Sequence, residues 1–165
     1  MVCAMAVWQH REEWIVCMML DRMKAASDCY RKGCTCSQAL LCAYADEMGI
    51  EKETAYRMME GFGCGMGEMQ ELCSALAAAI CVIGFHASEG MPQKGCGGVK
   101  DGCSSLGTYG QVKYVMEIFR REYGGVTCRD ILRGTSPEET DCGMKVKDMV
   151  IMIDRVLYEM ELEKE

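Results

Sequence analysis

The sequence lacks the short motifs that identify several common classes of redox and nucleotide-binding protein. Only two of its 165 residues are prolines and 7% are aromatic, and its 13 cysteines include no C-x-x-C pair. The missing pair excludes thioredoxin-like, rubredoxin, zinc-ribbon, bacterial ferredoxin and covalent haem sites. Gly63 and Gly65 do not form a dinucleotide fingerprint, because Glu68 occupies the third glycine position and no strand precedes them.

Basic residues and long hydrophobic runs are also scarce. Eighteen Lys and Arg against 25 Asp and Glu argue against nucleic acid as a partner. The longest nearly apolar run, 75–85, would be about 16 Å long as a helix, half a bilayer's hydrocarbon core, so we expect no membrane span. The first 13 residues show no basic region followed by an apolar stretch, so we expect no signal peptide and a cytoplasmic location.

Cysteine and methionine are abundant, with 13 and 16 copies, in a chain that is 50% hydrophobic and 26% charged. These proportions are typical of a globular protein, and we predict a single domain over 1–165. A chain of this length needs no disulfide framework, and an odd number of cysteines cannot pair fully. The cysteines therefore favour metal binding or redox chemistry.

Apolar residues recur at three- and four-residue steps along most of the chain, and no alternating strand pattern is present. We predict an all-α fold, a compact bundle of five to six helices with one central apolar helix at 68–85. Glycine-rich residues 61–67 should be an ordered loop beside the cysteines, whereas 88–104, with Cys96 and Cys103, should be the most mobile segment. The helical segments are 12–31, 37–48, 52–59, 68–85, 106–123, 127–132 and 144–162.

Four cysteine-containing segments occur in a characteristic order: GCTCSQAL at 33–40, GFGCGMG at 61–67 leading into LCSAL at 72–76, CRDIL at 128–132, and Cys142. Together they resemble a redox-active family of small bacterial and archaeal proteins that is named for its C…CGAxxG…C…C pattern. The same kind of domain is fused in split-Soret cytochromes. The resemblance covers about residues 22–160.

The resemblance implies which cysteines matter. The family's four cysteines fall on Cys36, Cys73, Cys128 and Cys142, and Cys64 and Cys34 are candidate extra ligands. In the split-Soret relatives this domain is associated with an iron–sulfur centre, which the resemblance implies here. The sequence departs from the family pattern at four positions, namely Thr35 in place of asparagine, Cys64 in place of a loop glycine, and Ser74 and Ala78 in place of the motif glycines.

Physical chemistry supports a thiolate site independently. Cys36 and Cys128 stand at predicted helix N-termini, where the helix dipole should lower the pKa of a thiol. Thiolates select soft metals and iron–sulfur clusters over Mg²⁺ or Ca²⁺, and a four-thiolate zinc site is also possible.

Three functions remain open from the sequence. The first is electron transfer to a partner redox protein through an iron–sulfur cluster or other thiolate-held metal. The second is a metal-free protein of thiol–disulfide or persulfide exchange, with Cys36 and Cys128 as nucleophiles. The third is a zinc-stabilised, non-catalytic helical module, and no catalytic residue is assigned.

Apolar residues cover a wide face of the final helix, and Met18, Met19 and Met23 form another apolar surface. Because large exposed apolar patches mark interfaces, we expect a homodimer. The residues of the final helix concerned are Val146, Met149, Val150, Ile153, Val156, Leu157 and Met160.

Overall fold

The computed structural model describes residues 11–88, 90, 106–133 and 141–162. Within these ranges the fold is all-α, as predicted, and contains no β-strand. Seven helices are present rather than five or six, one of them only four residues long. They are α1 (Arg11–Arg31), α2 (Cys36–Tyr44), α3 (Lys52–Met59), α4 (Ser74–Ala87), α5 (Leu106–Tyr123), α6 (Cys128–Ile131) and α7 (Cys142–Leu162).

Two helices, α2 and α4, occupy the centre of the bundle. Helix α2 packs against α1, α3, α4 and α7, and α4 packs against α2, α5 and α7. The apolar residues of α4 are buried on nearly all sides from Ala75 to Ile83. The predicted central apolar helix is therefore α4, and α2 shares its position.

The helix boundaries differ most from the predicted ones at two places. Helix α2 ends at Tyr44 rather than 48, and α4 begins at Ser74 rather than 68. Residues 70–73 cannot join α4, because their backbone groups bond to a distant segment: Cys128 N–H donates to Glu71 O and Cys73 N–H donates to Val126 O. Periodicity within one segment does not reveal such pairing.

The apolar face of α7 is buried inside the bundle. Val146, Met149, Val150, Ile153 and Val156 are all fully buried, so the structure contradicts the premise that this face is left uncovered. The apolar face of α7 therefore forms part of the hydrophobic core of a single chain. Exposed apolar side chains occur on α1, where Trp14 is 50% and Leu20 is 56% exposed, and at separate positions on other helices, including Ile151 on α7.

A charged cluster closes the C-terminal end of α2. The Tyr44 hydroxyl donates to Asp154 Oδ1 at 2.8 Å, and Arg22 Nη1 donates to the same oxygen at 2.7 Å. Arg22 also pairs with Glu47, and its guanidinium lies 4.9 Å from the centre of the Tyr44 ring. This cluster joins α1, α2 and α7.

No helix in the described part of the chain is long and apolar enough to span a bilayer.

Candidate functional site

The N-terminus of α2 positions Cys36. Thr35 is the N-cap: its Oγ1 accepts from Gln38 N–H at 3.3 Å, and Gln38 Oε1 accepts from Thr35 N–H at 2.9 Å. This reciprocal capping box satisfies two backbone donors that the helix leaves unpaired. Thr35 therefore performs the capping role although the family pattern has asparagine at this position.

An antiparallel backbone pairing brings Cys73 and Cys128 together. Leu72 and Thr127 form an isolated bridge between the segment before α4 and the segment before α6. Cys73 is the N-cap of α4, and Cys128 is the first residue of α6, capped by Thr127 Oγ1, which accepts from Asp130 N–H at 3.0 Å.

The fourth cysteine, Cys142, is the first residue of α7. Asp141 Oδ1 accepts from Gly143 N–H at 2.8 Å and thereby caps the helix. The Tyr30 ring from the end of α1 packs over Gly143, where an added Cβ would lie 3.2 Å from the ring. Packing of α1 on α7 thus fixes the position of Cys142.

The glycine loop, residues 61–67, forms another wall of the site. Residues 64–68 all have positive φ, including the non-glycine residues Cys64, Met66 and Glu68, which costs roughly 1–2 kcal/mol for each of these three. A Cβ on Gly65 would lie 2.6 Å from Cys128 Cβ, so only glycine allows this approach. The loop is therefore held in a strained form against Cys128, and the prediction that it lies beside the cysteines is confirmed.

All four predicted cysteines line one cavity of about 610 Å³, which we call the thiol cavity. Cys73 and Cys128 are buried, and Cys36 and Cys142 are half-buried; all four have free thiols. Each stands at the N-terminus of a different helix, so the positive ends of four helix dipoles meet here. Two of these N-termini were expected from the sequence, and those of Cys73 and Cys142 were not.

The two candidate extra ligands, Cys64 and Cys34, also line the thiol cavity, but in different chemical states. Cys64 is a free, exposed thiol in the glycine loop. Cys34 forms a disulfide with Cys29, with a Cα–Cα distance of 5.6 Å, so its sulfur is not a free ligand in this state. Cys96 and Cys103 lie outside the described residues.

Cys36 and Cys142 interact directly. The Cys36 thiol donates a hydrogen bond to the Cys142 sulfur, which together with burial raises the pKa of Cys36 well above its ordinary value. The same bond, helped by the charge of Lys145, lowers the pKa of Cys142 to about 7.

The predicted lowering of the Cys36 and Cys128 pKa values by the helix dipole is wrong. Burial, followed by the neighbouring cysteines, raises the pKa of Cys128 to about 11. Burial also raises the pKa of Cys73, although the backbone N–H groups of Leu76 and Ala75 donate to its sulfur and oppose the shift. Burial therefore raises the pKa values of Cys73 and Cys128 although each stands at the start of a helix.

Two further cavity residues, Lys145 and Tyr30, were missed from the sequence. Lys145 is only 5% exposed, and its Nζ lies 5.5 Å from the centre of the Tyr123 ring, one helical turn after Cys142. Burial and the nearby thiolates raise the pKa of Tyr30 to about 12. A lysine within the buried stripe of the last helix is the signal that could have identified Lys145.

Across the described residues, no group of three or more His, Cys, Asp or Glu side chains is arranged to hold a single metal ion. The thiols surround a space instead of meeting at a point.

Comparison with known proteins identifies the family. The family model described as "putative redox-active protein (C_GCAxxG_C_C)" matches residues 34–156, about three quarters of the chain. The chain belongs to this redox-active family. Its match contains all four cysteines of the thiol cavity that were assigned from the resemblance. No curated protein and no solved structure matches the chain.

Proposed function

We propose that this redox-active protein binds an iron–sulfur cluster in the thiol cavity and transfers electrons through it. Cys36, Cys73, Cys128 and Cys142 would be the ligands. The observation that carries the proposal is that these four free thiols, from four separate helices, line one cavity of about 610 Å³. When bound, the cluster would supply one-electron redox chemistry.

Charge supports an anionic group in this cavity. A cluster held by four thiolates carries net negative charge, and the N-termini of α2, α4 and α7 together with buried Lys145 place positive potential around it. Backbone N–H groups of Ala75 and Leu76 oppose the rise in the pKa of Cys73, and donors near a ligand sulfur tune the potential of such centres.

Cavity shape supports a cluster over a single zinc ion. Zinc needs its ligand sulfurs to converge within about 2.3 Å of one point. The four thiols instead surround a space large enough for several atoms. The ligand chemistry fits either group, since thiolates bind both.

Anaerobic expression and metal analysis test the proposal. We expect a coloured protein with stoichiometric iron and acid-labile sulfide, and the variant Cys73→Ser should lose both. Cys81→Ser is the matched control, because Cys81 is a free, half-buried thiol on the same helix but does not line the thiol cavity. A colourless protein containing zinc would replace this proposal with the zinc-stabilised module.

A second function, metal-free thiol–disulfide or persulfide exchange, is favoured by the Cys36–Cys142 hydrogen bond. Two thiols that line the same cavity, one of them with a pKa of about 7, suit formation of a disulfide. The nucleophile would then be Cys142 rather than Cys128. A protein that contains no metal after anaerobic preparation, and in which oxidised glutathione links Cys36 to Cys142, would establish this alternative.

We further propose a cytoplasmic homodimer that exchanges electrons with a partner redox protein. Exposed Trp14, Val16 and Leu20 on α1 support the dimer in place of the buried face of α7. Light scattering at tens of micromolar should give twice the chain mass of 18.4 kDa, and a monomer would contradict the dimer.

A further inference from the structure

The Cys29–Cys34 disulfide lies in the wall between two cavities. Cys34 lines the thiol cavity, whereas Cys29 lines a second cavity of about 320 Å³ between α1, α2 and α3, which we call the outer cavity. The outer cavity is open to solvent beside the exposed residues Lys52, Glu53 and Tyr56. Each cavity is therefore lined by one of the two cysteines of the disulfide.

The disulfide contributes little to holding the chain. Cys29 and Cys34 are only five residues apart. The entropy that a disulfide removes from the unfolded chain is smallest for such short loops. Hydrogen bonds already fix the turn: Gly33 N–H donates to Tyr30 O at 3.0 Å, and Cys34 N–H donates to Cys29 O at 3.3 Å. A purely structural role does not explain why the disulfide lies between the two cavities.

We propose that Cys29–Cys34 is a redox-active disulfide that exchanges with a low-molecular-weight thiol through the outer cavity. The thiolate of the first external thiol attacks Cys29 Sγ, the sulfur–sulfur bond breaks, and Cys34 leaves as a thiolate that takes up the proton of that thiol. A second external thiol attacks the mixed disulfide and releases Cys29 as a thiol. Two external thiols are oxidised to one disulfide, and Cys29–Cys34 is reduced by two electrons.

The two cavities determine which sulfur of the disulfide an external thiol attacks first. An external thiol reaches Cys29 through the outer cavity, whose volume lies near the lower limit for small-molecule sites. Cys34 instead faces the wall that carries Cys36, Cys64 and Cys142. Reduction therefore delivers one new thiol, that of Cys34, to the thiol cavity.

The first test is reduction of the folded protein by glutathione, followed by alkylation and mass spectrometry. We expect Cys29–Cys34 to be reduced without denaturant and the mixed disulfide to form on Cys29. A disulfide that remains intact until urea unfolds the chain, or a mixed disulfide on Cys34, would overturn the proposal.

Two further variants, neither of which can form the Cys29–Cys34 disulfide, test which of the two sulfurs is more accessible. In a Cys42→Ser background, which removes the other thiol of the outer cavity, Cys34→Ser leaves Cys29 free and Cys29→Ser leaves Cys34 free. With oxidised glutathione as the probe, we expect Cys29 to react about tenfold faster than Cys34, because access controls the rate. Equal rates would contradict the proposal.

The exchange is independent of the proposed cluster. Cys73→Ser, expected to remove the iron, should leave reduction of Cys29–Cys34 by glutathione unchanged. Loss of iron with normal exchange would separate the two activities, and failure of either measurement alone would refute only the corresponding proposal.

Discussion

Helix α2 carries a buried polar cluster at each end, and the two clusters are built differently. At the C-terminal end, Tyr44 and Arg22 both donate to Asp154 Oδ1, whereas Asp154 Oδ2 has no hydrogen-bond partner among the described residues. At the N-terminal end, Cys36 donates to Cys142 and faces further thiols across an open cavity. The first cluster is held by an ion pair and hydrogen bonds, whereas the cysteines of the second line a cavity of about 610 Å³.

The C-terminal end of α2 therefore contributes mainly to stability, whereas its N-terminal end carries the candidate functional site. A buried charge network stabilises the fold only while every member is paired. Thiols tolerate burial as neutral groups, and they lose their protons when they coordinate a metal. Changes at the C-terminal end of α2 should therefore unfold the protein, whereas changes at its N-terminal end should alter its chemistry.

The largest expected effect is that of Asp154→Ala. The substitution leaves the Arg22 guanidinium and the Tyr44 hydroxyl without their shared acceptor, so we expect the free energy of unfolding to fall by about 3 kcal/mol. Urea denaturation measures it. Asp46→Ala is the control, since its ion pair with Lys52 is exposed and should contribute little.

A smaller loss, about 2 kcal/mol, is expected for Gly65→Ala, because its Cβ would collide with Cys128 and φ is +75°. The variant should also retain less iron than the wild type. Gly61→Ala in the same loop meets nothing within 4 Å, so its iron content should match that of the wild type. Equal iron in both variants would mean that the loop does not support the site.

The reactivity of Cys142 should show the low pKa directly. In metal-free, reduced protein, its alkylation by iodoacetamide should reach half its maximal rate near pH 7 and exceed that of Cys128, whose pKa is about 11. At pH 7 the excess over an ordinary cysteine should be roughly tenfold.

The same ionisation links stability to pH. Because the pKa of Cys142 is lower when folded than unfolded, the folded state binds fewer protons between about pH 7 and 8.5. Its contribution to stability therefore grows as pH rises through this window and is lost as pH falls through 7. A half-maximal alkylation rate near pH 8.5 would contradict both statements.

The smallest effect is expected for Lys145→Met, which removes the positive charge that helps lower the pKa of Cys142. Alkylation of Cys142 at pH 7 should slow by about threefold, in keeping with one partly screened charge. Lys147→Met is the control, because Lys147 is on the same helix but does not line the thiol cavity. Identical slowing in both variants would point to a general effect on α7.

Local sequence patterns predicted the helices that are defined by local signals. Helices α3 and α5 match the expected bounds, 52–59 and 106–123, because glycines or polar residues interrupt the apolar period at their ends. The start of α4 was wrong because its preceding residues pair with residues 126–129, and no short-range pattern encodes that contact.

The four cysteines of the site could be predicted from the sequence, but their pKa values could not. Cys36, Cys73, Cys128 and Cys142 follow from motif order, and the structure brings them to one cavity; their role as ligands stays a prediction. The pKa values were misjudged because a sequence shows which thiol begins a helix but not how deeply it is buried. The Cys29–Cys34 bond had one signal, two cysteines flanking the predicted stop at Gly33.

The Leu72–Thr127 bridge has a consequence for how the protein matures. It joins segments that are far apart in sequence, and closing so long a loop is slow and entropically costly. During synthesis Cys73 emerges well before Cys128, and the two thiols meet only after the helices between them have packed. The thiol cavity is therefore complete only after both segments have been synthesised and paired.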